Sequence, residues 1–318
     1  MTDHSSPQSR PRRAVATAPG SIGNVGPGLD VLGLAVAGLA DQVTAEPIAG
    51  SALVLRDPGH ASLPSDPAQH AVTLAADAVR RRAGEPGFGA TFSLAKGLPL
   101  AGGQGGSAAS AAAGAGAMNA LLGSPLTPHQ LIEAALEAEA AVAGRHADNL
   151  APSILGGLVL VRSLDPLDCI RLPVPPGLQI TLVRPRMQLR TAEGRGALPR
   201  EVSRDLTIHQ MAQTAGIVAA ACLGDLALLG RCIDDRLAEP ARAPLLPGFP
   251  EAKAAAMATG ALGCSISGSG PTVFALSADR RTASYVAAAM VAAYSHAGLT
   301  SDARVTEPDL TGLQIEVS

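Results

Sequence analysis

Leu98-Pro-Leu-Ala-Gly-Gly-Gln-Gly-Gly-Ser-Ala-Ala-Ser110 packs four glycines into the five residues 102–106 and follows them with small, helix-forming residues. Glycine reaches positive φ without a Cβ penalty, so successive N–H groups can converge on one point. The helix that follows adds its own unpaired N–H groups and the positive end of its dipole. A strand, a glycine loop and a helix in that order form a site for a polyphosphate, and a hydroxyl at Ser107 can reach a magnesium ion carried by the phosphates. The pattern is not GxxxxGK[ST], and no Gly-Lys pair occurs in the chain, so the P-loop is excluded. Taken alone, the segment is equally a tight strand-to-helix turn in a glycine-rich protein.

Three more segments concentrate polar groups beside glycines. Pro19-Gly-Ser-Ile-Gly-Asn-Val-Gly-Pro-Gly-Leu-Asp30 sets Asn24 and Asp30 in a turn-rich stretch. Arg145-His-Ala-Asp-Asn149 follows a stretch that carries Glu133, Glu137 and Glu139, although a lone histidine such as His146 is more often a hydrogen-bonded structural residue. Gly260-Ala-Leu-Gly-Cys-Ser-Ile-Ser-Gly-Ser-Gly-Pro271 reads by default as a β-hairpin turn. Six arginines fall between Arg184 and Arg204, and Arg242 lies further on in Glu239-Pro-Ala-Arg242. Arginine forks bind carboxylate or phosphate bidentately, but most surface arginines are merely solvated.

The elements that must carry these groups can be read from periodicity and punctuation. Ala14–Ala18 reads as a strand ended by Pro19-Gly20, and 43–46 and 52–56 as further strands. Val72, Ala75, Ala76 and Val79 recur at helical spacing over 70–82, and 88–94 alternates like a half-buried strand. Helices are expected from Ser107 to Leu122 and from Pro128 to Ala143, the latter with Thr127 as N-cap and proline at N1. Strands follow at 156–162 and, past the Pro-Val-Pro-Pro run at 173–176 that marks a domain junction, at 178–184. A long helix opened by Ser203, further helices to about 238, a helix at 250–259, strands at 262–267 and 272–276, a helix capped by Asp279 and two closing strands complete the chain. The elements intermix without regular βαβ alternation, which predicts an α+β fold.

Composition narrows the function. The 318 residues suffice for two domains, and the net charge of −3 favours neither nucleic acid nor an anionic membrane as partner. Aromatics are 2% of the chain, so the stacking platforms of a single-strand nucleic-acid binder are missing. The four cysteines, at 169, 222, 232 and 264, form no CxxC pair and read as buried thiols of a reducing compartment. Residues 1–13 read as a disordered tail with no apolar segment of a secretory signal behind it, and no strongly apolar stretch long enough to span a bilayer is evident, so the expected location is the cytoplasm.

In their order, the four segments resemble the GHMP small-molecule kinases. The first resembles the family's amino-terminal motif, residues 99–109 its phosphate loop and Ile266-Ser-Gly-Ser-Gly-Pro271 its carboxy-terminal glycine motif. His146-Ala-Asp-Asn149, Thr191-Ala-Glu-Gly-Arg195 and Glu239-Pro-Ala-Arg242 resemble the branch that phosphorylates homoserine. The likeness runs over about residues 14–318. It implies a two-domain α+β fold, with a tail at 1–13, an ATP-binding domain like ribosomal protein S5 domain 2 at 14–172, and a ferredoxin-like domain at 173–318.

The same resemblance implies ATP and Mg2+, and transfer of phosphate to L-homoserine, giving O-phospho-L-homoserine for threonine biosynthesis, commonly in a homodimer. ATP would contact Pro99, Ala101, Gly102, Gly103, Gln104, Gly105, Gly106, Ser107, Ala108 and Ala109. Mg2+ would lie between Ser107 and a helix glutamate, Glu139 or alternatively Glu137. Asn24, Asp30, His146, Thr191, Arg195 and Arg242 would form the amino-acid pocket, with Asn149 near the attacking hydroxyl. The chemistry agrees, because a zwitterion needs arginine for its carboxylate and an acid or amide for its ammonium.

The chain departs from the family pattern in several places. Gly106 stands where a first serine is usual, Gln104 where leucine is, Leu29 where phenylalanine is, and His70 where an asparagine near the adenine is frequent. The only lysines are Lys96 and Lys253, neither near the first motif, which weakens a mevalonate-kinase reading. Another GHMP substrate, a diphosphomevalonate decarboxylase-like lyase and a non-catalytic relative remain as alternatives.

Overall fold

The computed structural model describes residues 10–318; residues 1–9 of the expected tail lie outside that range. The remainder of the expected tail is ordered: the N–H groups of Arg12 and Arg13 donate to the Ser318 carbonyl, and Arg10 pairs with Glu85 over the Phe88 ring.

The first sheet holds β1 (Ala14–Gly23), β2 (Leu32–Ile48), β3 (Leu53–Asp57), β4 (Gly89–Ala95), β5 (Leu158–Leu164), β6 (Leu167–Leu172) and, from the far end of the chain, β11 (Gln314–Val317). Its order is β11-β1-β2-β4-β3, with β5 on the early part of β2 and β6 on β5; only the β3–β4 pair is parallel. β1 does not stop at Pro19-Gly20 as expected. The register with β2 jumps there from Pro19↔Ala40 to Gly20↔Val36, and a bulge is a place where a missing proline N–H is tolerated.

Against this sheet pack α1 (Ala71–Arg82), α2 (Gly106–Leu121), α3 (Pro128–Val142) and the short α4 (Leu150–Leu155). α2 is the central helix, buried from Ala108 to Leu121. Its alanines and glycines let neighbours approach closely: a Cβ on Gly114 would meet the Val72 carbonyl of α1 at 2.5 Å. Thr127 caps α3 as expected, and Gln130 completes a capping box with it. α4 and β6 are absent from the sequence-based expectation, α4 because a single turn has no readable period.

The second sheet is antiparallel, in the order β10 (Ser301–Thr306), β7 (Gln179–Pro185), β9 (Val273–Ser277), β8 (Gly263–Ile266). Numbered along the chain this is 4-1-3-2, with helices between the first and second and between the third and fourth strands, which is the ferredoxin-like arrangement. Alternation sorts its two faces. Ile180, Leu182, Phe274 and Leu276 meet α6 (Arg204–Leu223) and α7 (Leu226–Arg231) in one core with Ile22, Leu32 and Leu34 of the first sheet. Val183, Val273 and Ala275 meet α9 (Phe249–Ala258) and α10 (Arg280–His296) in another.

Between β7 and α9 lie α5 (Thr191–Gly196) and α8 (Ala238–Arg242), the latter continued by a 3-10 turn over Ala243–Leu245. α6 is the one described helix with the length and mean hydropathy of a membrane span, where no such stretch was expected; here Ile217, Ala220 and Ala221 face the shared core. Cys222 on the same helix is exposed, not buried as expected; the other three thiols are buried.

A division at 172/173 separates the two sheets except at the end of the chain. Pro308 bridges to Val36, and β11 pairs with β1 from Ala14↔Val317 to Thr17↔Gln314, so the last strand completes the first sheet.

Candidate active site

A cavity of about 1020 Å³ lies where the loop before α2 meets the β8–β9 hairpin and α5. Ala101, Gly103 and Gly105 of the loop all have positive φ, and Gly105 caps α2 in the left-handed region. Position 103 must be glycine: a Cβ there would meet the Gly270 and Ser267 carbonyls at 2.7 Å. The loop is stitched to the hairpin by Ser267 Oγ, which donates to the Gly103 carbonyl, and by Thr272 Oγ1, which donates to that of Gly102, both at 2.5 Å. The first N–H groups of α2, at Gly106, Ser107 and Ala108, have no helical partners and form an anion site with the dipole behind them.

Ser107 Oγ donates to Glu139 Oε1 at 2.8 Å, bringing together two residues 32 positions apart. Glu139 is 2% exposed, and its Oε2 has no partner. Burial pushes its carboxyl up, against the pull of the Ser107 hydrogen bond and His146. A buried, unpartnered carboxylate oxygen beside a hydroxyl is a donor pair suited to a hard divalent cation whose other ligands come from phosphates and water. Among the described residues no group of three or more His, Cys, Asp or Glu side chains converges on a metal position, so such a cation would depend on its nucleotide. Glu137, the alternative, is engaged elsewhere, with Arg81 at 2.8 Å and Arg82 at 2.7 Å on the surface.

The other end of the cavity is charged. Asp30, at φ +62°, receives Arg195 fork to fork, Nη2 on Oδ1 at 2.8 Å and Nη1 on Oδ2 at 3.0 Å. Arg242 is 3% exposed; Nε donates to the Gly194 carbonyl at 3.1 Å and Nη1 to that of Gly268 at 2.8 Å. Burial pushes its pKa down from the high ordinary value, with Asp235, Asp30 and Asp148 pulling the other way. Asn24 knits the floor: Nδ2 donates to Gly268 O, Oδ1 accepts from Asp30 N, and its own N–H donates to Asp148 Oδ2. Asn149 stands at the head of α4, its Oδ1 and carbonyl both accepting from Ser21 Oγ at 3.1 Å, and its Oδ1 is 3.0 Å from where a Cβ on Gly105 would be.

The cavity therefore gathers Pro99, Ala101, Gly102, Gly103, Gly105, Gly106 and Ser107 with Glu139, Asn149, Asn24, Asp30, His146, Arg195 and Arg242. Three expected phosphate contacts, Gln104, Ala108 and Ala109, are not among its walls, although the Ala108 N–H belongs to the anion site. Gln104 turns its amide to Thr272 Oγ1 at 3.1 Å, and the side chains of Ala108 and Ala109 are wholly inside the first core. The Ala109 N–H is also spent on the Gly105 carbonyl. The helix starts at Gly106, one residue before the expected Ser107. Thr191 heads α5, and its side chain lies outside the described part of the structure.

His70 is the N-cap of α1: Nδ1 accepts from Val72 N, and Nε2 faces the Pro58 carbonyl, both at 3.3 Å. Burial, with Lys96 nearby, holds its pKa below the ordinary value, so the ring is neutral and both nitrogens are engaged within the protein. Asp148 stands with His146 and Asn149 in the sequence but was assigned no role there. It is 2% exposed, its carboxyl is pushed up by burial, and His146 Nδ1 lies 3.8 Å from its Oδ1. Its position inside His146-Ala-Asp-Asn149 was the available signal.

The chain is similar to known proteins over most of its length. The model of the GHMP kinases N terminal domain matches residues 70–157, and that of the GHMP kinases C terminal region matches 217–296. The homoserine kinase of Chlorobaculum tepidum is 41% identical over 302 residues, covering 90% of this chain and 92% of that protein. The homoserine kinase of Arabidopsis thaliana is 41% identical over 307 residues, covering 94% and 83%. The crystal structure of homoserine kinase from Cytophaga hutchinsonii superposes with a TM-score of 0.92 at 36% identity, covering 98% of this chain and 99% of that one.

Proposed function

The chain belongs to the GHMP kinases, and we infer that it is their homoserine kinase, an enzyme that moves the γ-phosphoryl group of ATP to the hydroxyl of L-homoserine. The observation that carries this reading is the meeting in one cavity of an anion-binding helix start, the Ser107–Glu139 pair with its free buried oxygen, and a charged pocket containing Asp30, Arg195 and Arg242.

The free N–H groups at the start of α2 hold the phosphates. Ser107 and Glu139 would hold Mg2+, which neutralises phosphate charge when bound. Arg242 presents Nη2, for which no partner is found among the described residues, to the substrate carboxylate, and Arg195 adds a second guanidinium. Asp30 suits the ammonium, and His146 and Asn24 close the pocket around it. Asn149, between Ser21 and the Gly105 turn, orients the hydroxyl toward the phosphate. Catalysis is then positioning and charge stabilisation with no strong base, in keeping with the loose transition state of phosphoryl transfer. The setting is the cytoplasm and threonine biosynthesis, and the assembly a homodimer.

A coupled ADP-release assay with homoserine, mevalonate and galactose tests the assignment. Turnover is expected with homoserine; its absence there would reject the reading.

A further inference from the structure

Beneath the glycine loop lies a buried charge pair that the mechanism does not use. The side chain of Asp41, on β2, is 0% exposed and that of Lys96, at the exit of β4, is 6% exposed; Lys96 Nζ donates to Asp41 Oδ2 at 2.5 Å. Asp41 is fully engaged. Oδ1 accepts the N–H groups of Gly97 and Leu98, both at 3.1 Å, and Oδ2 also accepts Ser110 Oγ at 2.6 Å. An ammonium has three donors, and Lys96 places the other two on the Gly106 carbonyl at 2.7 Å and Ser110 Oγ at 3.1 Å.

These partners are the two ends of one segment. Gly97 and Leu98 enter the loop, and Gly106 and Ser110 leave it on the first turns of α2. Everything between them is glycine-dense and includes three residues at positive φ, a stretch with much backbone freedom to lose. The approach is also close: a Cβ on Gly97 would meet the Ala40 carbonyl at 2.1 Å. Lys96 borders the cavity and Asp41 does not, so the pair turns its positive end toward the anion site.

We propose that Asp41 is a positioning residue for the phosphate loop: with Lys96 and Ser110 it ties entry and exit to one buried point, fixing the α2 N–H groups and Ser107 for the nucleotide. This rests on reading the loop as the nucleotide's phosphate site. Structural anchoring alone would lower stability; positioning predicts a selective loss at the nucleotide.

The test is calorimetric titration of the full-length protein with Mg·AMP-PNP, below the melting temperature of each variant, beside the KM for homoserine at saturating ATP. Asp41→Asn and Lys96→Met are expected to weaken nucleotide binding by about tenfold or more, and the milder Ser110→Ala by about threefold, with homoserine KM within about twofold of the parent. Ser110→Ala removes a hydroxyl and leaves both charges, so it decides the matter if Asp41→Asn does not fold. Unchanged nucleotide affinity in folded variants, with only the melting temperature lowered, would overturn the inference. Failure of the unaltered protein to bind Mg·AMP-PNP would instead overturn the reading of the loop, and the inference with it.

Discussion

The Asp30 carboxylate and the Arg195 guanidinium meet through two parallel hydrogen bonds, joining the turn after β1 to helix α5. Burial pushes the Asp30 carboxyl up, but the Arg195 hydrogen bonds and charge outweigh it and hold the group below the usual carboxylate range. Without substrate, the two groups assigned to its opposite charges therefore satisfy each other. A zwitterion entering here adds a second pair of opposite charges beside the first, which leaves the net charge of the pocket unchanged.

Arg195→Ala should raise the KM for homoserine by about five- to thirtyfold, because a hydrogen-bonded charge contributes about 1.5–3 kcal/mol when buried and less at a part-exposed position such as this. Arg242→Ala, at a buried position, should raise it by well over about tenfold and also lower stability, since the Gly194 and Gly268 carbonyls lose their donor. Steady-state kinetics with homoserine varied at fixed Mg·ATP gives both values. An unchanged KM would remove that arginine from the pocket.

Glu139→Gln should all but abolish turnover, by about a hundredfold or more, yet stabilise the ligand-free protein. The sign follows from burial. The folded-state pKa of Glu139 is raised above its ordinary 4.5, so the folded protein holds a proton that the unfolded chain releases. Stability from this group is complete below pH 4.5 and is lost as pH rises through the raised pKa. Melting curves against pH should show a shallower loss in the variant and a higher Tm at mildly alkaline pH. A variant Tm no higher than the parent's would show that the ionised carboxylate is not under strain.

Gly103→Ala should cost about 2 kcal/mol or more, from the left-handed backbone together with the carbonyl contacts its Cβ would make. Denaturant unfolding measures the loss, and nucleotide affinity should fall with it. A variant as stable as the parent would mean that loop and hairpin separate readily.

Gln104→Leu restores the residue usual in the family and removes the hydrogen bond to Thr272. The expected loss is about 1 kcal/mol of stability, with a rise of a few-fold in the KM for ATP and little change for homoserine. Equal kinetics and equal Tm would make the amide incidental.

Much of this was legible in the chain, and what was not has identifiable causes. Thr127, Ser203 and Asp279 cap the helices they announce, because an N-cap is a local bond between a side chain and an N–H a few residues away. Ser107 and Glu139 were paired by family likeness, and only the fold shows the hydroxyl on the carboxylate and Glu137 turned to Arg81 and Arg82. The pairing of Asp41 with Lys96 was not legible because they are 55 positions apart and neither belongs to a motif. Gln104 reads as a departure until Thr272 stands opposite it. Ala108 and Ala109 belong to the family motif as sequence, but in space their side chains are core.

The pairing of Gln314–Val317 with β1 also bears on synthesis. During translation β1 is made early, but its β11 neighbour follows only when residues 314–317 have been added, and a product truncated before them would leave the Ala14–Thr17 edge of β1 without that partner.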